Sequence, residues 1–147
     1  MRHYRRIALA CGVAVLCLGA GSCSKSLETR VSGSLQAPVI AFLGPGGRPV
    51  RVCIDSVTVV DWDAPPGGPA WSVGGVEADC VWVSSVTYGR VPTGLATHDG
   101  PIPLKPETEY EFHGAGWTRS FPNVPWYGGG VGARVIYRDG AWRSVAD

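Results

Sequence analysis

The sequence predicts an all-β fold, a small sandwich of about six to eight strands. Short runs of β-branched and aromatic residues alternate with polar ones at a period of two. The 21 Gly and 12 Pro of the 147 residues punctuate those runs at turn positions. No stretch after residue 24 carries a helical period of apolar residues.

The first 22 residues belong to a different class. Arg2, Arg5 and Arg6 make a positive head, and Ile7 to Ala20 follows without a charge and almost wholly apolar. A run of that length is shorter than the roughly 20 residues a membrane span needs, and it fits the roughly 7–15 residue core of an export signal, expected as a signal helix. Three of the 13 Lys and Arg fall in this segment and none of the 12 Asp and Glu, so its removal turns a net charge of +1 into −2. No basic stripe survives, which argues against a nucleic-acid partner and against polybasic attraction to anionic lipid. Residues 23–36 are polar and read as a flexible tether, about 20 Å in mean reach. The domain is expected over 37–147.

Within it, "PVIAFL" (38–43) is a short apolar strand ended by "GPGG". In "PVRVCID" (49–55), Val50, Val52 and Ile54 alternate with Arg51, Cys53 and Asp55, and "SVTVVDW" (56–62) continues that strand or follows a bulge. "PAWSVGG" gives a shorter strand, and "CVWVSSVTYG" (80–89) a long one. "TEYEFHG" (108–114) places Tyr110 and Phe112 inward, with Glu109, Glu111 and His113 outward. "ARVIYRDGAWRSV" (133–145) reads as a hairpin with a two-residue turn at Asp139-Gly140, because those residues best tolerate the positive φ of a type I′ turn. In that register Tyr137 faces Trp142.

The five cysteines are Cys11, Cys17, Cys23, Cys53 and Cys80. Cys53 and Cys80 lie in predicted strands of an exported small domain, which favours a disulfide over two buried thiols. The odd Cys23 then needs its own explanation. Ala20, Gly21 and Ser22 precede it, and this stretch resembles a bacterial lipoprotein signal, in which small residues lead to a cysteine that is lipidated and becomes N-terminal. Leu16 makes Cys17 a poor rival. The resemblance implies acyl chains on Cys23, with membrane lipid as the partner of the anchor. Each buried CH₂ contributes about 0.8 kcal/mol, and two or more chains anchor stably. Ser24, in place of Asp, implies outer-membrane delivery facing the periplasm in a Gram-negative host. Ordinary signal cleavage, giving a secreted soluble protein, is the alternative.

"GPIPLKPETEYEFHG" carries Leu104, Pro106, Thr108 and Tyr110 in a spacing that resembles fibronectin type III domains. That resemblance implies an immunoglobulin/fibronectin-like sandwich, with Tyr110 at a corner where its hydroxyl reaches backbone. Trp71, Cys80, "YGRVPTG" (88–94) and Leu104 to Phe112 together resemble small uncharacterised bacterial lipoproteins, which imply no activity.

The chain carries little that points to catalysis. His98 is read in an exposed loop and His113 on a charged strand face, while no Gly-x-Ser-x-Gly elbow exists. Asp61 and Asp63 flank Trp62 without further ligands at loop spacing. "GGGVG" (128–132) precedes a strand rather than opening a helix, so it reads as a hairpin tip or edge and not a phosphate cradle. No enzyme activity, cofactor or metal is expected. The candidate ligand-binding residues are Trp117, Phe121, Trp126 and Tyr127, in "GWTRSFPNVPWYGGG", read as a loop. They would grip a glycan or peptide by stacking, or else cap one end of the sandwich. Trp71, Trp82 and Trp142 fall in strands and are expected in the core. The function expected is that of a lipid-anchored, non-catalytic structural or interaction domain, its partner an envelope protein or a glycan.

Overall fold

A computed structural model describes residues 27–44, 46–64, 68–75, 80–120 and 124–145, with 117–120 and 124–131 as backbone alone. These residues form ten strands in two antiparallel sheets and no helix, a β-sandwich with more strands than expected. The first sheet is β1 (Glu28–Ser34), β2 (Ala37–Leu43) and β6 (Ser85–Thr87), in that order. The second contains β3 (Val52–Asp61), β4 (Trp71–Gly75), β5 (Val81–Val83), β7 (Leu95–Asp99), β8 (Glu109–Ser120), β9 (Val124–Arg138) and β10 (Ala141–Ser144). Its order is β10-β9-β8-β3-β4-β7, with β5 end to end with β4 along the same side of β3. Strands one, two and six face strands three, four, eight and nine, the distribution of an immunoglobulin-type sandwich.

The tether expected over 23–36 is shorter. Glu28–Ser34 pairs with β2 along its whole length, from Glu28↔Leu43 to Ser34↔Ala37. Val31 is its one core residue, 8% exposed. Backbone pairing to the apolar β2 holds a strand whose own sequence is too polar to announce itself. The single strand expected over 80–89 is two. Val81–Val83 pairs with β3 and Ser85–Thr87 with β2, so the chain changes sheets at Ser84.

A bulge in β3 aligns the core. Ile54 pairs with Gly116 and Ser56 with Ala115, leaving Asp55 as the extra residue. Without it, strict alternation would send Val57 and Val59 to the face opposite Val52 and Ile54. With it, all four are buried together. They pack with Ile40 and Phe42 of the first sheet, and with Trp71, Tyr110 and Phe112. Each such side chain contributes about 1.5–3 kcal/mol on burial. Gly116 is required where β8 passes β3, because a Cβ there would meet the Cys53 carbonyl and the Ile54 Cα.

The β9–β10 hairpin has the expected turn. Asp139 (φ 52°) and Gly140 (φ 77°) both lie in the left-handed region, and Tyr137 is opposite Trp142 with ring centroids 5.1 Å apart. Trp142 also meets the edges of Phe112 at 5.8 Å and Tyr110 at 6.3 Å, closing the side of the core beside β1. Trp71 is fully buried, whereas Trp82 is only half-buried.

Cys53 and Cys80 form a disulfide, with Cα atoms 5.2 Å apart. It closes a loop of 27 residues that holds most of β3 and all of β4, which in the chain-entropy model stabilises by about 3.5 kcal/mol. Cys53→Ser with Cys80→Ser is therefore expected to cost about 2–4 kcal/mol in urea unfolding, with little change in far-UV circular dichroism of the folded form.

Candidate functional site

The clearest built feature is a tyrosine-braced end of the sandwich. Segment 100–108 leads into β8 as irregular chain, and three side chains tie it down. The Lys105 backbone N–H donates to the Tyr110 hydroxyl at 2.9 Å, the corner contact that the fibronectin-like segment implied. Tyr88 donates its hydroxyl proton to the Ile102 carbonyl at 2.7 Å, with the Ala70 carbonyl at 3.1 Å. Gln36, from the β1–β2 turn, gives its amide N–H to the Leu104 carbonyl at 2.7 Å and accepts from the Leu104 N–H at 3.2 Å. Burial pushes the Tyr88 hydroxyl up to about 12, because the phenolate would be desolvated there. Burial raises Tyr110 as well, against the Lys105 contact. These contacts serve architecture: they place Leu104 in the core and leave Ile102 exposed.

The titratable residues considered for chemistry are scattered. His98 lies in β7, a strand rather than the expected loop, because Leu95–Asp99 pairs with β4; it is exposed, as expected, and its ring rests against Gly74. Asp99 accepts a hydrogen bond from Ser72 at 2.6 Å. His113 is exposed on β8, its Nε2 3.1 Å from Glu111 Oε1 on an open sheet face. Asp61 and Asp63 form a turn, with the Asp63 N–H donating to Asp61 Oδ1 at 3.1 Å. Among the described residues no three His, Cys, Asp or Glu side chains lie close enough together to hold a metal ion.

Two features went unread in the sequence. Where the chain passes from β5 to β6, an open groove of about 420 Å³ runs between that crossover and the 90–93 segment. Its walls include Val81, Trp82, Val86, Arg90 and Val91. The split of the 80–89 run creates it, and the absence of a Gly or Pro between Val81 and Thr87 hides the split. On the outer sheet face Trp62, 48% exposed, lies under the Arg134 guanidinium at 4.2 Å, and Arg134 Nε donates to Glu109 at 2.9 Å. Such exposed stacking contributes about 0.5–1 kcal/mol.

The expected aromatic loop is not a loop. Trp117–Ser120 continues β8 and Val124–Tyr127 opens β9, with Trp117↔Tyr127 and Thr118↔Trp126 in register. Gly and Pro there suggested irregular chain, but a two-stranded ribbon tolerates Pro125, whose missing N–H costs a ladder bond only if that side is paired. Phe121 lies outside the described residues, as does the lipidation candidate Cys23. "GGGVG" is the middle of β9, where Gly128 and Gly132 pair with Gly116 and His113. Trp117 is also the register partner of Cys53 in β3, so the ribbon grows directly from the disulfide strand.

Comparison with protein-family models, curated proteins and solved structures returns no match.

Two outcomes follow for the braced end. Tyr110→Phe leaves the Lys105 N–H without its acceptor and is expected to cost about 1–3 kcal/mol in denaturant unfolding. Tyr88 has its hydroxyl pKa raised on folding. Its contribution is whole below pH 10, the unfolded value, and is lost as pH climbs towards about 12. Ionisation followed at 295 nm should thus coincide with unfolding in that window, and Tyr88→Phe should weaken that pH dependence.

Proposed function

We propose that this protein is an exported lipoprotein, anchored by acyl chains on Cys23, whose sandwich acts as a non-catalytic interaction domain of a bacterial cell envelope. The observation that carries this reading is the Cys53–Cys80 bridge. Structural disulfides belong to oxidising compartments. The bridge also uses two of the three cysteines that follow the signal-like segment, so Cys23 has no further cysteine left to pair with. Acylation accounts for it, and the Arg-headed apolar run with Ala20, Gly21 and Ser22 supplies the recognition sequence. No helix among the described residues is long and apolar enough to cross a membrane.

The interaction role is supported by the surface. The open groove at the β5–β6 crossover, with Val91 exposed on its wall, is a place where apolar residues meet solvent, and the ribbon of β8 and β9 extends beyond β3. His98 and His113 stand apart on open strand surfaces, which suits a binding domain better than a hydrolase.

Intact mass of the protein taken from membranes tests the anchor. The expected species begins at Cys23 and carries the added mass of acyl chains. Cys23→Ser should move the protein to the aqueous phase of a detergent partition while its melting profile stays unchanged. A wild-type protein recovered water-soluble, with its N-terminus elsewhere and no added lipid, would overturn the reading.

A further inference from the structure

We propose that the β8–β9 ribbon, Trp117–Ser120 with Val124–Tyr127, rests in the headgroup region of the same bilayer that holds the Cys23 anchor. This rests on the lipoprotein reading above. It makes the membrane surface itself the first partner of the domain.

The strand pairings place the ribbon. β1 starts at Glu28, opposite Leu43, where β2 ends. Leu43 bridges to Pro49, and β3 begins at Val52, so the 44–51 loop lies at the same end as Glu28. At β3's first turn into the sheet, Cys53 pairs with Trp117. β8 continues beyond it towards that end through Thr118, Arg119 and Ser120, which have register partners in β9 and none in β3. At about 3.3 Å per residue these carry the ribbon about 10 Å past the level of Cys53.

The anchor reaches no further than its chain allows. Cys23 and Glu28 are five residues apart, which at full extension spans at most about 18 Å. The tether first expected would have let the domain turn freely. The short one keeps the Glu28 end within one tether length of the lipid, and the ribbon leaves the second sheet at that same end.

The ribbon's composition suits that position. Trp and Tyr are enriched at membrane–water interfaces, where an apolar ring with a polar edge matches the headgroup layer. Trp117, Trp126 and Tyr127 are of this kind. The charges agree. Arg30, Arg48 and Arg51 are exposed at this end and Arg119 belongs to the ribbon, against Glu28 and Asp55 as the nearest described acids. At the opposite end Glu107, Glu109 and Asp139 are ion-paired with Arg138, Arg134 and Arg143, so the acids there are largely balanced. Among the described residues the anchor side thus carries a local excess of arginine over acid, where anionic headgroups would lie.

The test uses the full lipidated protein in phosphatidylethanolamine–phosphatidylglycerol vesicles, some with brominated acyl chains. Bromine quenches only tryptophans that reach the bilayer. The expected result is quenching of the wild type that falls about twofold or more in Trp117→Phe/Trp126→Phe, with the melting profile and vesicle retention preserved. Inserting 15 Gly/Ser residues between Ser26 and Leu27 should likewise reduce quenching without releasing the protein. Equal quenching in wild type and double variant, or none in a protein still held through its acyl chains, would overturn the ribbon's role and leave the anchor standing. A fluorescence response to soluble envelope glycan that needs Trp117 and Trp126, with no response to bromine, would overturn it in favour of a glycan site. A mature protein without lipid removes the anchor reading first and this inference with it.

Discussion

Strand β3 sets the register of the second sheet. It pairs with β8 on one side and with β4 and β5 on the other, so its inward residues decide which faces of four strands meet the core. The extra residue at Asp55 is what lets a ten-residue strand bury two inward pairs that simple alternation would place on opposite faces. A bulge also increases local twist, and it sits beside the disulfide. Cys53, on the outward side of the strand, is buried all the same, bonded to Cys80 and with Trp82 as its register neighbour in β5. The covalent bond therefore fixes the strand where its pairing is least regular.

The two ends of the sandwich are finished by different physics. At one, backbone groups of an irregular segment are satisfied by Tyr88, Tyr110 and Gln36, each side chain bonding residues distant in the chain or across the corner. Buried backbone polar groups need such partners where no ladder supplies them. At the other end the two strands of the β8–β9 hairpin keep pairing with each other after β3 has stopped. An isolated two-stranded ribbon is marginal in water. A ribbon that is rich in Trp, Tyr and Pro and extends beyond its sheet is more stable against a surface than alone.

Local rules were legible in the sequence, and long-range ones were not. Asp139-Gly140 with its flanking aromatics announced a hairpin because turn chemistry and cross-strand pairing are both encoded within a few residues. Tyr110 and Phe112 announced their inward face, and the two cysteines their bridge. The sheet change at Ser84 was marked only by the Ser84-Ser85 pair in "VWVSSV", which without a Gly or Pro reads as a continuing strand. Residues 28–34 looked like a tether because one valine among polar residues is no amphipathic signal; their strand exists through backbone bonds to β2. Gly and Pro in 117–127 suggested a loop, yet a ribbon with one open side accommodates both. Of the candidate site, the aromatic residue types were readable, and their placement at the end where β1 begins was not.

That placement changes what the N-terminal segment does. A long tether would make the domain a float, its orientation averaged and its binding surfaces available in all directions. Under the proposed acylation of Cys23, a connection of five residues to Glu28 would let the lipid surface block many orientations of the sandwich. Steric exclusion would then select orientation before any specific contact forms, and the ribbon would need to add only a small bias. On the same proposal the tyrosine-braced end would be turned away from the membrane. It would be the face that a soluble or opposing partner meets first, and rigid bracing of its irregular segment would lower the entropy lost when such a partner binds.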